Sequence, residues 1–96
     1  MSPENKKKLE KIRVKLDKLD NKLLALIKNR TSLVKEVLKL KEFKKEIVDQ
    51  KRIKFILNKI KGKSKKLKID PKITNRIWKN MILSYIDYER RNFKKK

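Results

Sequence analysis

Between Leu9 and Leu40 the apolar residues recur at alternating spacings of three and four. Leu9, Ile12, Leu16, Leu19, Leu23, Leu26, Leu33, Val37 and Leu40 occupy the series, and no Gly or Pro interrupts it. This is the a/d seam of a heptad pattern and predicts one continuous helix. The one seam position between Leu26 and Leu33 is Arg30. A guanidinium on an apolar seam requires an anion to meet it, because burying an unpaired charge costs several kcal/mol or more. A structural ion pair, a register-setting polar residue and an anion-binding site all satisfy that requirement.

A helix over about 3–42 would be ~55 to 60 Å long, more than a compact domain of 96 residues is wide. It needs partners along its length that one chain cannot supply, so a homo-oligomer is expected, most simply an intertwined dimer. Ser2-Pro3-Glu4 reads as its start, with an N-cap, a first-position Pro and an acid in the first turn. Residues 42–48 carry no helical stripe and read as a short loop. Asp49 is the expected N-cap of a second helix over about 49–66, with Arg52, Ile53, Ile56, Leu57 and Ile60 on one face. That helix is expected to end or fray at Lys61-Gly62-Lys63-Ser64, which holds the only Gly. Asp70-Pro71 opens a third helix over about 71–93, with Ile73, Ile77, Trp78, Met81, Ile82, Tyr85 and Ile86 as its apolar face. The expected fold is all-α: a single domain over 1–96 with three helices of unequal length and a basic tail at 94–96.

Composition narrows the chemistry. There is no Cys and no His, so no thiolate nucleophile, no imidazole base and none of the commonest metal ligands are available. No apolar run approaches the ~20 residues needed to span a bilayer, and no apolar signal core follows the basic start. A cytoplasmic protein without membrane contact is expected. The net charge of +21 invites a nucleic-acid reading. Against it, only 6 of the 32 basic residues are Arg, and the lysines spread over all polar faces. A basic helical nucleic-acid-binding module is therefore the distant alternative, and no specific nucleic-acid partner is expected.

A few residues do not suit a bland bundle. Lys41 lies eleven residues after Arg30, three turns on and at almost the same angle, ~16 Å away along a helix. Both long side chains could reach one small anion. Arg52 sits in the first turn of the second helix. On the third, Trp78, Ile82, Tyr85 and Glu89 form a stripe that ends in a carboxyl. A salt bridge from Glu89 to Arg30 or Arg52 and a role in a site are both open. Arg13 is ~25 Å from Arg30 along the same helix, so only the Arg13 of a partner subunit could join that ligand. Such a pocket holds a small dianion in one conformation and stabilises charge on an oxygen. No metal and no cofactor is expected.

This layout resembles the all-helical (AroQ, type II) class of chorismate mutases over essentially the whole chain. The segment from Leu19-Asp20 through Arg30, followed by Val37 and Lys41, is similar to the family's first helix. Asp49-Gln50-Lys51-Arg52 is similar to the Asp-x-x-Arg opening its second, 77–82 to the apolar run of its third, and Glu89 falls where its last active-site residue lies. The resemblance implies an intertwined homodimer with two sites and the pericyclic rearrangement of chorismate to prephenate. It implies that Arg30 and the partner's Arg13 bind the two carboxylates and that Lys41 contacts the ether oxygen. Arg52 would support this cationic shell and Asp49 would meet the ring hydroxyl. Two positions depart from the pattern. Ile53 stands where Glu is common, and Tyr85 where many members have Ser. Both resemble the isochorismate-pyruvate lyases of salicylate synthesis, and 4-amino-4-deoxychorismate mutases are a further alternative on the same fold. Glu89, where many members have Gln, must be protonated to donate a hydrogen bond to the ether oxygen. The reading therefore predicts activity that rises as the pH falls below neutrality.

Overall fold

The computed structural model describes residues 1–94, so Lys95 and Lys96 of the expected tail lie outside the described residues. Among them the order is α1 (Pro3–Leu40), a single 3-10 turn (Lys44–Glu46), α2 (Gln50–Lys66) and α3 (Pro71–Asn92), with no strand. The all-α, three-helix class expected from the sequence is the class observed. The chain divides into two units, Met1–Val34 and Lys35–Lys96.

The first unit consists of helix from Pro3 onward. Ser2 starts it: its Oγ accepts the backbone N–H of Asn5 at 3.1 Å, and Pro3 takes the position where a missing N–H costs nothing. α1 has no buried residue. The seam side chains Ile12, Leu16, Leu19, Leu23, Leu26 and Leu33 stand 51 to 62% exposed.

In the second unit α1 stops at Leu40, slightly short of the expected 42, for a reason that lies downstream. Lys41 still donates to the Leu38 carbonyl at 3.2 Å. The next two N–H groups, of Glu42 and Phe43, instead meet Oε2 of Glu46 at 2.7 and 3.0 Å. Phe43 is extended (φ −121°, ψ 142°), and the 3-10 turn that follows leads into Ile47. At 4% exposure Ile47 is the one buried apolar residue among those described. The stretch read as a loop therefore holds an anchored turn.

Asp49 caps α2 by accepting the N–H of Arg52 at 3.0 Å. The helix then passes through Gly62 and ends at Lys66, whereas the sequence placed an end or fraying at 61–64. The stop is a Schellman arrangement. Ile69 donates to the Ser64 carbonyl at 2.9 Å and Lys68 to the Lys65 carbonyl at 3.2 Å, with Lys68 in the left-handed region at φ 58°. A residue that pays a steric penalty there was chosen over a nearby Gly because two other constraints fix the place. Pro71 disfavours helical backbone at Asp70 (φ −58°, ψ 116°). Ser64 also bonds Thr74 of α3 through a buried hydroxyl pair at 2.7 Å, and Ser64 Oγ lies 2.6 Å from the Ile60 carbonyl. α3 starts with Asp70 accepting the Lys72 N–H at 2.9 Å. Trp78, Met81, Ile82, Tyr85 and Ile86 on its apolar face are half-buried, but Ile73 and Ile77 are 56% and 51% exposed.

Candidate active site

Glu89 is the one buried charged residue among those described, and half-buried Lys41 is its partner. Lys41 follows the last residue of α1, and Glu89 lies in the last turn of α3. Lys41 Nζ donates to Glu89 Oε1 at 2.8 Å, with side-chain exposures of 18% and 7%. The carboxyl expected at the end of the α3 stripe thus does have a cationic partner. The partner is Lys41, where the sequence offered Arg30 or Arg52. A charge-assisted bond of this length is among the stronger hydrogen bonds, and losing either partner would strand the other.

Lys41 also lines an open cleft of about 500 Å³. Val37, Leu40 and Val48 give it apolar walls, and Lys41, Glu46, Asp49 and Lys51 supply the charges. The helix ends position these groups: Lys41 at the close of α1, Asp49 at the cap of α2. Glu46 and Lys51 were not singled out from the sequence. The signal for Glu46 was available in principle, as an acid three residues after the extended Phe43 at the start of a short turn. Its carboxyl is held below the ordinary glutamate range, first by the N–H groups of Phe43 and Glu42, which outweigh a desolvation that acts the other way. The nearby Lys45 and Lys41 charges lower it further.

The other candidates are less enclosed. Arg52 is exposed, and its guanidinium lies over the Phe55 ring at 5.2 Å. Ile53 and Tyr85 are half-buried, Ile53 in the first turn of α2 and Tyr85 one turn before Glu89. In the first unit, Arg30 is half-buried and Arg13 exposed; Arg13 pairs with Glu10 one turn away at 3.1 Å. No group of three or more metal-binding side chains occurs among the described residues. What Lys41, Glu89 and the cleft offer is a point charge and a carboxyl at an apolar wall, suited to binding an anion and stabilising charge on an oxygen.

The sequence profile described as chorismate mutase type II matches residues 12–90. The chain belongs to the chorismate mutase type II family. A relative named chorismate mutase, from Methanocaldococcus jannaschii, is 38% identical over 76 residues, covering 78% of this chain and 77% of that protein. No solved structure matches the chain significantly. The span shared with the chorismate mutases of type II runs through all three helices and includes every candidate residue from Arg13 to Glu89.

Proposed function

We propose that this chain is a chorismate mutase, an isomerase that rearranges chorismate to prephenate in phenylalanine and tyrosine biosynthesis. The reaction breaks a C–O bond and forms a C–C bond within one molecule, so it needs no nucleophile and no cofactor. It needs a dianion held in its reactive conformation and donors at the ether oxygen, where charge develops. The observation that carries the reading is the enclosed Lys41–Glu89 pair at 2.8 Å, with Lys41 on the wall of the cleft it shares with Asp49.

In this reading Lys41 donates to the ether oxygen, and Glu89, which accepts from Lys41 at 2.8 Å, stands beside it as the second catalytic side chain. Arg30 and Arg13 of the partner subunit bind the two carboxylates. Asp49 meets the ring hydroxyl, Arg52 supports the cationic shell, and Ile53 and Tyr85 shape the wall around the ring. The working unit is an intertwined homodimer of single-domain chains. The exposed seam of α1 supports this, since apolar side chains at heptad spacing gain by burial against a second copy. The Arg13–Glu10 pair is a surface pair, 59% and 70% exposed, worth ~0 to 1 kcal/mol, so Arg13 is released to another ligand at little cost. No helix among the described residues is long and apolar enough to cross a membrane. A cytoplasmic location, with no nucleic-acid partner, completes the proposal.

Ile53 and Tyr85 favour one second reading, the isochorismate-pyruvate lyase, because an apolar Ile53 leaves no carboxylate for a hydroxyl at that edge. The test is to incubate the protein separately with chorismate and isochorismate and identify the products. Prephenate from chorismate is expected. Salicylate and pyruvate from isochorismate, with little prephenate, would move the assignment to the lyase.

A further inference from the structure

We infer that Glu46 is a positioning residue for Lys41: by taking the backbone N–H groups of Glu42 and Phe43 it fixes the turn that holds the Lys41 ammonium against Glu89. The inference rests on the reading of Lys41 as the cation at the breaking C–O bond.

Three observations combine. First, the chain leaves the helix at Lys41, where intrahelical bonding ends and side-chain direction is least constrained. The first two N–H groups beyond Lys41 would bond to α1 carbonyls if the helix continued. Both are taken by one carboxylate oxygen of Glu46, at 2.7 and 3.0 Å. A carboxylate suits this task because it only accepts, and successive backbone N–H groups form an anion-binding concavity. Second, Glu46 is itself anchored. The neighbouring Ile47 is buried and donates to the Lys44 carbonyl at 3.2 Å, so the acceptor comes from a fixed point. Third, Glu46 and Lys41 line the same cleft, while the salt bridge of Lys41 goes to Glu89. Glu46 therefore directs Lys41 through the backbone and leaves its ammonium to the other carboxyl. The two N–H groups also favour the ionised form of Glu46 and hold its carboxyl below the ordinary glutamate range.

Lysine loses much of its rotamer freedom when its side chain is held in one place. A fixed turn beneath it limits what must be ordered as substrate binds. Small misplacement of a charge that acts in the transition state is expressed in kcat more than in KM.

The experiment compares the full-length wild type, Glu46→Ala and Glu46→Gln in steady-state kinetics on chorismate, with amide hydrogen exchange at Lys41, Glu42 and Phe43. The Gln side-chain oxygen accepts the same two N–H groups without the charge. Expected are a roughly tenfold loss of kcat in Glu46→Ala with little change in KM, and recovery to within about threefold in Glu46→Gln. Exchange at Glu42 and Phe43 is expected to be fast in the Ala variant and slow in the other two. Wild-type kcat in Glu46→Ala, or a Gln variant as slow as the Ala variant, would overturn the inference. A wild type that turns over no chorismate would instead refute the proposed function. Equal exchange in the Ala variant and the wild type would overturn the role of Glu46 whatever the substrate.

Discussion

α1 and the α2–α3 hairpin handle burial in opposite ways. The hairpin closes on itself: a Schellman stop at Lys68, an aspartate cap at Asp70 and the buried Ser64–Thr74 hydroxyl pair join the two helices within a few residues. α1 is more than twice as long as α2, at 38 residues against 17, and buries none of them. Its polar punctuation is equally sound, with Ser2 at one end and Glu46 beyond the other. Caps are worth ~1 kcal/mol each and cannot alone hold so long a helix in water. The hairpin pattern is satisfied within the chain, whereas the α1 stripe is left uncovered, as the proposed homodimer requires.

The largest effect should come from the seam. Leu23→Asp places a charge where the dimer would be dry, at a cost of several kcal/mol. Sedimentation should show loss of the dimer, circular dichroism should show lost helix, and mutase activity should fall at least about a hundredfold. A dimer with full helicity would break the contrast between the two regions. A middle-sized effect is expected in the hairpin. Ser64→Ala strands the buried Thr74 hydroxyl, whose one other contact is a long 3.4 Å bond to the Pro71 carbonyl. Urea melts should show a loss of about 1 to 2 kcal/mol with the dimer intact. A loss of dimer instead would mean that the hairpin does not stand by itself. The smallest effect is a gain: Lys68→Gly relieves a left-handed non-Gly residue at φ 58° and should stabilise by about 1 kcal/mol. A lower melting temperature would show that Lys68 contributes something beyond its backbone shape.

The starts of the helices were legible because their signals are local. Ser2, Asp49 and Asp70-Pro71 each announce a cap within three residues of the N–H they satisfy. The ends were less legible because their causes lie elsewhere. α1 ends where an acid in the next turn captures the N–H groups of Glu42 and Phe43, and α2 runs past Gly62 because Ser64 is held by Thr74. At Gly62 an added Cβ would meet nothing within 4 Å, so no crowding there called for a glycine. At the site, the sequence identified Glu89 as a carboxyl in need of a cation but offered Arg30 or Arg52 as the partner. Arg52 lies over Phe55, one turn along its own helix, and the pair forms with Lys41. Ile73 and Ile77, like the α1 seam, are apolar positions that the described chain leaves exposed, and an apolar stripe does not say what covers it.

The most direct measurement mixes two proteins that are each expected to be inactive. Arg13→Ala and Arg30→Ala chains are unfolded, combined and refolded, and prephenate formation is assayed. If each site takes Arg30 from one chain and Arg13 from the partner subunit, half of the randomly formed dimers are hybrids with one intact site of two. About a quarter of wild-type activity should return. A mixture that stays as inactive as its parents, while hybrid dimers form, would contradict a site completed across the α1 seam.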